Sequence, residues 1–192
     1  MKEKFKELNN RIHKCDKCSL CSLTINQKDL SKGYGKLIGW KGSTKKCRFL
    51  FVGMNPSHKR YPELEFAFGG PIGDNQGVGK RFIDLLKKIN IFEEIYCTNL
   101  VKCSSLTNEI NLENASNCIG FLLEEYDILK PEVVIALGNQ VYNILSEFFR
   151  NYSISAKLQQ TWHPNWVFRY KKVSEEKYLD VIKEICEIND KN

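Results

Sequence analysis

The sequence predicts an α/β fold, a three-layer sandwich in which helices flank a central, mostly parallel four-stranded sheet. Four apolar runs of strand length predict the sheet, at 49–52, 95–101, 133–137 and, more weakly, 158–162. Stripes of apolar residues at helical spacing lie between these runs. Strand and helix therefore alternate, which is typical of a parallel sheet with helices on both faces.

The helices are predicted from apolar residues that recur every three or four positions. The first stripe, Phe5, Leu8 and Ile12, ends just before Cys15. The other stripes are Phe82, Leu85, Leu86 and Ile89; Ala115, Ile119, Leu122 and Tyr126; Val141, Ile144, Leu145 and Phe148; and Tyr178, Leu179, Ile182 and Ile185. Pro131 should end the helix before the third strand, and Ser174 is a plausible cap for the last helix.

Length and composition indicate one globular domain. The chain has 192 residues, 42% of them hydrophobic and 27% charged, which are ordinary values for a soluble protein. No apolar run approaches the roughly 20 residues that a membrane span needs, and the charged start lacks a signal-peptide pattern. We therefore expect a cytoplasmic monomer without a membrane partner, a single domain over 1–192 whose segment of about 1–47 carries cysteines.

The positive charge is concentrated in one part of the chain. The net charge is +6, and seven of the basic residues fall within 28–48 against a single acidic residue, with Tyr34 and Trp40 between them. A solvated, lysine-rich loop explains this pattern. Contact with a phosphate backbone explains it as well, because each neutralised phosphate releases counterions.

The eight cysteines point to metal ligation, because a reducing compartment would not maintain a disulfide framework. Cys15 and Cys18 form a CxxC pair, and Cys103 and Cys118 are separated by fourteen residues. Cys21 forms a second CxxC with Cys18. The remaining three, Cys47, Cys97 and Cys186, sit in or beside apolar runs and are predicted to be small buried hydrophobic residues.

Polar residues follow the predicted strands, where ligands bind in open α/β sheets. These residues are Gly53 to Pro56, Asn99, Gly138 to Gln140, and His163 to Asn165. The sequence shows neither a convincing carboxylate pair nor a Ser-His-Asp set, a Walker loop or GxGxxG. Amides and a histidine suit a reaction whose leaving group is a delocalised anion, such as a pyrimidine base that leaves a deoxyribose.

The motifs in order resemble the uracil-DNA glycosylase superfamily, most closely its iron–sulfur-containing family 4. They run from CDKCSL at 15–20 through LIGW, CRFLFVG, IYCTNLVKCSS and NCIGFLLEEYDILKPEVVIALGNQVYNIL to TWHPNWVFR at 161–169. The resemblance places the ligands of a [4Fe–4S] cluster on Cys15, Cys18, Cys103 and Cys118. Zinc on the same four cysteines remains the alternative.

The resemblance also implies roles for residues at the strand ends. Asn99 matches the amide that reads the Watson–Crick edge of uracil, and His163 matches the histidine that stabilises charge on uracil O2. Gly53 to Ser57 match the water-activating loop, so Gly53 and Met54 should border the base. Family 4 usually has an acidic residue in that loop, whereas GMNPS resembles the GMNPG and GINPG loops of single-strand-selective and mismatch-specific glycosylases. Asn55 is therefore the residue expected to position the attacking water.

Further contacts with the substrate are expected on both sides of these motifs. Phe68 is the predicted residue for stacking on the base, with Phe66 as the second candidate. After the histidine motif, Trp166 with Val167 and Phe168 could form an apolar wedge that opens a base step. The basic residues Arg169, Lys171 and Lys172 would hold phosphates beside it.

The sequence thus predicts a DNA repair glycosylase that flips deoxyuridine out of DNA, hydrolyses its N-glycosidic bond and leaves an abasic site. Its partner is DNA that contains uracil or another deaminated base. The alternatives are a glycosylase for another deaminated base, and a damaged-DNA-binding iron–sulfur protein of the same fold without uracil excision. An iron–sulfur redox or sensor protein is a further alternative.

Overall fold

A computed structural model describes residues 2–20, 38–42, 46–56, 67–68, 77–105 and 110–187 of the chain. Its strands form one sheet in the order β1–β3–β2–β4–β5. The strands are β1 (Trp40–Lys41), β2 (Phe49–Gly53), β3 (Ile95–Asn99), β4 (Val133–Leu137) and β5 (Lys157–Thr161). Strands β2 to β5 pair in parallel, and β1 pairs antiparallel with β3. The predicted four-stranded parallel sheet is confirmed.

Helices connect the parallel strands. They are α1 (Lys2–Lys14), α2 (Val78–Lys88), α3 (Leu112–Leu129), α4 (Asn139–Tyr152) and α5 (Glu175–Ile185), with a 3₁₀ turn at Phe92–Glu94 and a π-helical turn at Asn165–Arg169. Helix α3 ends at Leu129, and Lys130 follows in the left-handed conformation before Pro131. The Ser174 side chain accepts a hydrogen bond from the Lys177 N–H, as predicted for the cap of α5.

Alternating side chains divide the core into two layers, one on each face of the sheet. On β2, Leu50 and Val52 belong to the apolar cluster that contains residues of α1, α3 and α4. Phe49 and Phe51 belong to the cluster that contains residues of α2 and α5. All five residues of β2 are buried, which is typical of a strand between two helical layers. The three-layer sandwich is therefore confirmed.

The edge strand β1 was not predicted. It spans two residues between Gly39 and Gly42, too few to give a periodic pattern. Trp40 is buried, and its indole N–H donates to the carbonyl of Ala67 at 2.6 Å. The strand is therefore stabilised by a contact with a residue far along the chain rather than by local propensity.

Helix α1 packs on α3 through Leu8 and Ile12, both fully buried, and Arg11 pairs with Glu124 on the surface. Residues 21–37 lie outside the described part of the chain. The connection of segment 1–47 to the core through a metal cluster therefore stays a prediction. Among the described residues, no helix is long and apolar enough to cross a membrane.

Candidate active site at the carboxyl ends of the strands

The parallel sheet brings the predicted base-binding residues to one edge. Gly53 ends β2 and Asn99 ends β3, and these two residues are partners in the strand register. Gly138 directly follows β4, and His163 lies two residues after β5. The carboxyl ends of four adjacent strands therefore deliver the loop, the amide and the histidine to a common rim.

Asn99 is a candidate for hydrogen bonding to a ligand. It is only 4% exposed. Its backbone carbonyl accepts a hydrogen bond from Lys102, and no hydrogen bond joins its side-chain amide to a described residue. The amide offers both a donor and an acceptor. A base that presents the complementary edge would therefore complete its hydrogen bonding.

Gly53 allows Asn99 and Phe68 to lie close together. A Cβ atom at Gly53 would lie 2.6 Å from the Asn99 Oδ1 and 2.8 Å from the Phe68 Cζ, closer than a real Cβ contact allows. Phe68 is partly buried, and its ring centroid lies 6.3 Å from that of His163 and 5.7 Å from that of Phe82. Gly53, Asn99 and Phe68 are thus close neighbours, and His163 lies beside Phe68. Phe66, the second candidate for stacking, lies outside the described residues.

His163 is set up as a neutral hydrogen-bond donor. The backbone N–H of Asn165 donates to its Nδ1 at 3.1 Å, so the ring proton resides on Nε2. Burial lowers the pKa of His163 to about 4, which keeps the imidazole uncharged at neutral pH. Gly138 lies next to it with a φ of 102°, and a Cβ there would lie 3.7 Å from the His163 Cβ.

Asn55 presents its side-chain oxygen away from the loop. Its Nδ2 donates to the carbonyl of Pro56 at 3.0 Å, and because a carbonyl only accepts, the nitrogen must be the atom that faces it. The Oδ1 atom accepts no hydrogen bond from any described group and could accept one from water. The loop is anchored because Met54 accepts a hydrogen bond from the Val101 N–H at 2.9 Å. Ser57 lies outside the described residues.

A groove of about 530 Å³ borders the histidine, and Met54, His163, Trp166 and Lys172 contribute to its lining. Trp166 is 51% exposed, and Arg169 and Lys171 are exposed beside it. These side chains can reach a large ligand that lies across the groove.

The predicted wedge is wrong for Val167 and Phe168. Both are buried in the apolar cluster under α2 and α5, because the π-helical turn at 165–169 directs them inward. Phe168 packs edge-on against Tyr178 with ring centroids 6.0 Å apart, and the Arg81 guanidinium lies 4.8 Å from its ring. Trp166 is the member of the predicted wedge that is exposed.

The four predicted cluster cysteines share one region of the core. Cys15, Cys103 and Cys118 are buried in the cluster between the sheet and α1, α3 and α4, and Cys18 packs against it. Burial raises the pKa of the Cys118 thiol, the backbone N–H and charge of Lys102 lower it, and Cys18 and Cys15 raise it. Within the described ranges, no three histidine, cysteine or acidic side chains form a metal-binding group.

The donor chemistry of these cysteines nevertheless fits the implied cluster. Four soft sulfur donors in an apolar, partly enclosed region are what an iron–sulfur cluster or a structural zinc ion requires. Cys21 lies outside the described residues. Cys47, Cys97 and Cys186 are buried, as predicted, and Cys97 and Cys186 belong to the other face of the sheet.

The basic stretch is only partly described. Lys46 pairs with Glu132 at 3.0 Å, and Arg48 pairs with Glu132 at 3.0 Å and with Glu94 at 3.1 Å. Because these carboxylates neutralise Lys46 and Arg48, the described part of the basic stretch favours a solvated surface loop over a contact with a phosphate backbone. The lysines at 28, 32, 36 and 45 lie outside the described residues.

The sequence analysis did not predict a role for Lys102 and Glu125. These residues form a buried ion pair directly beside Asn99. A signal for Glu125 exists: it lies three residues after Leu122 and therefore on the apolar face of α3. A charge in the middle of an apolar stripe indicates a buried partner.

Comparison with known proteins identifies the family. The sequence model of the uracil DNA glycosylase superfamily matches residues 41–185. The chain belongs to the uracil DNA glycosylase superfamily. It is therefore a DNA glycosylase, a hydrolase that acts on N-glycosyl bonds in DNA, and the resemblance found in its motifs is confirmed.

Two members of the superfamily are similar over most of this chain. A type-4 uracil-DNA glycosylase of Thermotoga maritima is 28% identical over an alignment of 169 residues, and the match covers 80% of this chain and 79% of that protein. A type-4 uracil-DNA glycosylase of Pyrobaculum aerophilum is 27% identical over 136 residues, which are 70% of this chain and 60% of that protein.

A solved structure supports the fold. The crystal structure of wild-type Pedobacter heparinus SMUG2 superposes with a TM-score of 0.54 and covers 74% of this chain and 76% of that chain. At 11% sequence identity, this similarity establishes the architecture alone.

Proposed function

We propose that the protein removes uracil from DNA by hydrolysing the N-glycosidic bond of deoxyuridine, which leaves an abasic site. The observation that carries the proposal is the buried amide of Asn99. It lacks a hydrogen-bond partner among the described groups and lies between Gly53, Phe68 and the rim that bears His163.

Base selection would rest on Asn99 and Phe68. The Asn99 amide can accept from uracil N3–H and donate to uracil O4. Cytosine carries an acceptor at N3 and a donor at the exocyclic nitrogen, so both contacts fail. A buried polar group left without its partner costs about 1–3 kcal/mol, which is enough to exclude cytosine. Phe68 supplies an aromatic face on which the flipped base stacks.

Bond cleavage would proceed by departure of the base followed by capture of the sugar. The electron pair of the C1′–N1 bond leaves with uracil, and negative charge develops on its ring oxygens. The neutral Nε2–H of His163 donates to O2, where that charge develops. A water held by the Asn55 Oδ1 adds its oxygen to C1′ and releases a proton, which balances the uracil anion. No lysine nucleophile takes part, so strand cleavage by lyase chemistry is not expected.

The exposed residues beside the groove would hold the DNA. Trp166 is positioned to wedge into a base step once the nucleotide is extruded. Arg169 and Lys171 would contact phosphates on either side of it, contributing affinity that falls with salt concentration.

We further propose that Cys15, Cys18, Cys103 and Cys118 hold a [4Fe–4S] cluster, with zinc as the alternative. Bound there, the cluster would serve as a structural cross-link between the end of α1 and the segment that joins β3 to α3. This proposal is supported by the donor chemistry of the four thiols and by their position on the same face of the sheet.

The proposal is tested with a labelled oligonucleotide that carries one deoxyuridine, either single-stranded or opposite guanine, followed by alkali. We expect alkali-dependent scission by the wild type, a loss of at least about 100-fold in Asn55→Ala, and altered base selectivity in Asn99→Asp. DNA binding without scission would instead support the non-excising alternative. An Asn99→Asp variant with unchanged selectivity would contradict the base-reading role.

A second candidate is excision of another deaminated base. It is favoured by Asn55, which stands where family 4 usually has an acid. A parallel oligonucleotide with one deoxyinosine decides between the two. Scission there and not at deoxyuridine would make the second candidate the function.

A further inference from the structure

A fully buried ion pair lies directly behind the proposed base-reading residue. Lys102 is 1% exposed and Glu125 0%, and the Lys102 Nζ lies 2.8 Å from the Glu125 Oε2. Removing two charges from water is costly, and apolar residues of similar volume often stabilise a core as well or better. A contribution to stability is therefore a weak explanation for this pair.

The pair belongs to a small and fully connected network. The Lys102 ammonium donates to the Glu125 Oε2, to the Thr98 Oγ1 at 2.7 Å and to the Asn99 carbonyl oxygen at 2.7 Å. The Glu125 Oε1 accepts from the Thr98 hydroxyl at 3.0 Å and from the Tyr96 hydroxyl at 3.2 Å. All three donors of the ammonium group are used, so the network fixes a single arrangement of these side chains.

The network acts on the point where β3 ends. Asn99 is the last residue of the strand, and the next residue, Leu100, donates its N–H to the Gly53 carbonyl at 2.8 Å. Lys102 holds the Asn99 carbonyl from the other side, while Glu125 anchors Lys102 to α3. An apolar pair could fill the same volume but could not hold that carbonyl. The backbone orientation at Asn99 in turn sets the direction in which its side chain leaves the strand.

We propose that Lys102 is a positioning residue: by donating to the Asn99 carbonyl it orients the Asn99 amide toward the base, and Glu125 is its anchor. The inference rests on the proposed function, in which Asn99 reads uracil. It adds that a buried charge, which contacts neither the base nor the DNA, determines how tightly the protein binds the base.

The test separates positioning from stability with three variants. Lys102→Met leaves the Glu125 carboxylate buried and uncompensated, so it is expected to unfold the protein or nearly so. Lys102→Met/Glu125→Gln removes both charges, approximately keeps the volumes and retains an acceptor for Tyr96 and Thr98. Tyr96→Phe is the matched control, because it removes one hydrogen bond to Glu125 and leaves both charges and the contact of Lys102 with the Asn99 carbonyl in place.

Each variant that folds is measured in three ways: thermal unfolding, affinity for a duplex with an abasic-site analogue, and inhibition of excision by free uracil. We expect the double variant to unfold near the wild-type temperature and to bind abasic DNA as the wild type does. Its inhibition constant for free uracil should rise about tenfold relative to Tyr96→Phe, and its single-turnover excision rate should fall by about the same factor.

The outcomes distinguish the two proposals. Equal uracil affinity in the double variant and in Tyr96→Phe overturns the positioning role, while wild-type excision leaves the proposed function intact. Absence of uracil inhibition and of excision in the wild type overturns the proposed function and this inference together.

Discussion

At the scale of single residues, the site depends on the lack of a side chain at Gly53. The space where a Cβ of Gly53 would project is filled by the Asn99 amide and the edge of the Phe68 ring. Any side chain at position 53 must displace one of them, and both belong to the proposed recognition of the base.

Gly53→Ala should therefore abolish uracil binding. The added methyl group would lie 2.6 Å from the Asn99 Oδ1, and such overpacking typically costs about 1–3 kcal/mol of stability. Gly120→Ala is the matched control, because Gly120 is exposed on α3 and a Cβ there meets nothing within 4 Å. We expect Gly120→Ala to be fully active and more stable by about 0.5–1 kcal/mol. Excision rates and urea unfolding of both variants check this, and a fully active Gly53→Ala would contradict the described packing.

His163 should titrate far below the ordinary range of histidine. Its pKa is lowered by burial to about 4, against about 6.5 in an unfolded chain. Between these values the unfolded state binds more protons, so the contribution of His163 to stability is complete above pH 6.5 and declines as the pH falls toward 4. NMR titration of the His163 ring in the folded protein, compared with the same ring in urea, measures both values. A folded-state midpoint near 6.5 would show that the ring is solvated.

At the scale of secondary-structure elements, buried hydroxyl groups distinguish the two faces of the sheet. Tyr96 on β3 donates its hydroxyl to Glu125. Tyr178 on α5 is equally buried, yet its hydroxyl has no hydrogen-bond partner in the part of the chain that the structure describes. The buried tyrosine hydroxyl is thus satisfied on one face of the sheet and unsatisfied on the other.

Removal of these two hydroxyl groups should have opposite effects. Tyr178→Phe should leave stability unchanged or raise it by up to about 1–3 kcal/mol, because an unsatisfied buried group is deleted. Tyr96→Phe should lower stability by about 0.5–1.5 kcal/mol, because a hydrogen bond is lost. Urea unfolding of both variants gives the comparison. Destabilisation by Tyr178→Phe of the same size as by Tyr96→Phe would reveal a partner of the Tyr178 hydroxyl.

At the scale of the whole molecule, the proposed cluster would connect distant parts of the chain. Cys15 and Cys18 follow α1, Cys103 lies shortly after β3, and Cys118 lies on α3. A metal centre held by all four would join the amino terminus to the segment that carries Asn99 and Lys102.

Alanine substitutions of two equally buried cysteines test this connection. Cys103→Ala should lose most of its bound iron and visible absorption and melt at a lower temperature. Cys186→Ala, on the other face of the sheet, should keep both the iron and the colour and lose only packing energy. Iron analysis, absorption spectra and thermal melting are the measurements. Full iron content in Cys103→Ala would remove Cys103 from the ligand set.

The parallel sheet was predictable because its signals are local. Each strand is a short apolar run, and each helix carries its own stripe, so alternation alone fixed the class of fold. The strand predicted at 95–101 ends earlier, at Asn99, opposite Gly53, the last residue of its partner strand β2. That ending depends on a neighbouring strand and is invisible in a window of sequence.

Features that depend on distant partners could not be predicted. The two-residue strand β1 rests on the contact of Trp40 with Ala67, and Lys102 meets Glu125 across 23 positions. Val167 and Phe168 show why apolar residues in a polar motif mislead, because sequence does not tell whether a turn directs them inward or outward. The motif residues could be predicted because they follow the strands in order along the chain. The parallel pairing of the strands then brings these residues to one edge of the sheet.

The pairing of Gly53 with Asn99 limits how the enzyme's preferences could be redesigned. The two positions share a rung of the sheet, so a library that varies both at once would mostly sample clashes. We expect position 99 to accept replacements no bulkier than an amide, such as aspartate or serine, and position 53 to accept no side chain. A directed-evolution campaign for new bases should hold the glycine fixed, explore the small polar set opposite it, and seek additional room at Phe68.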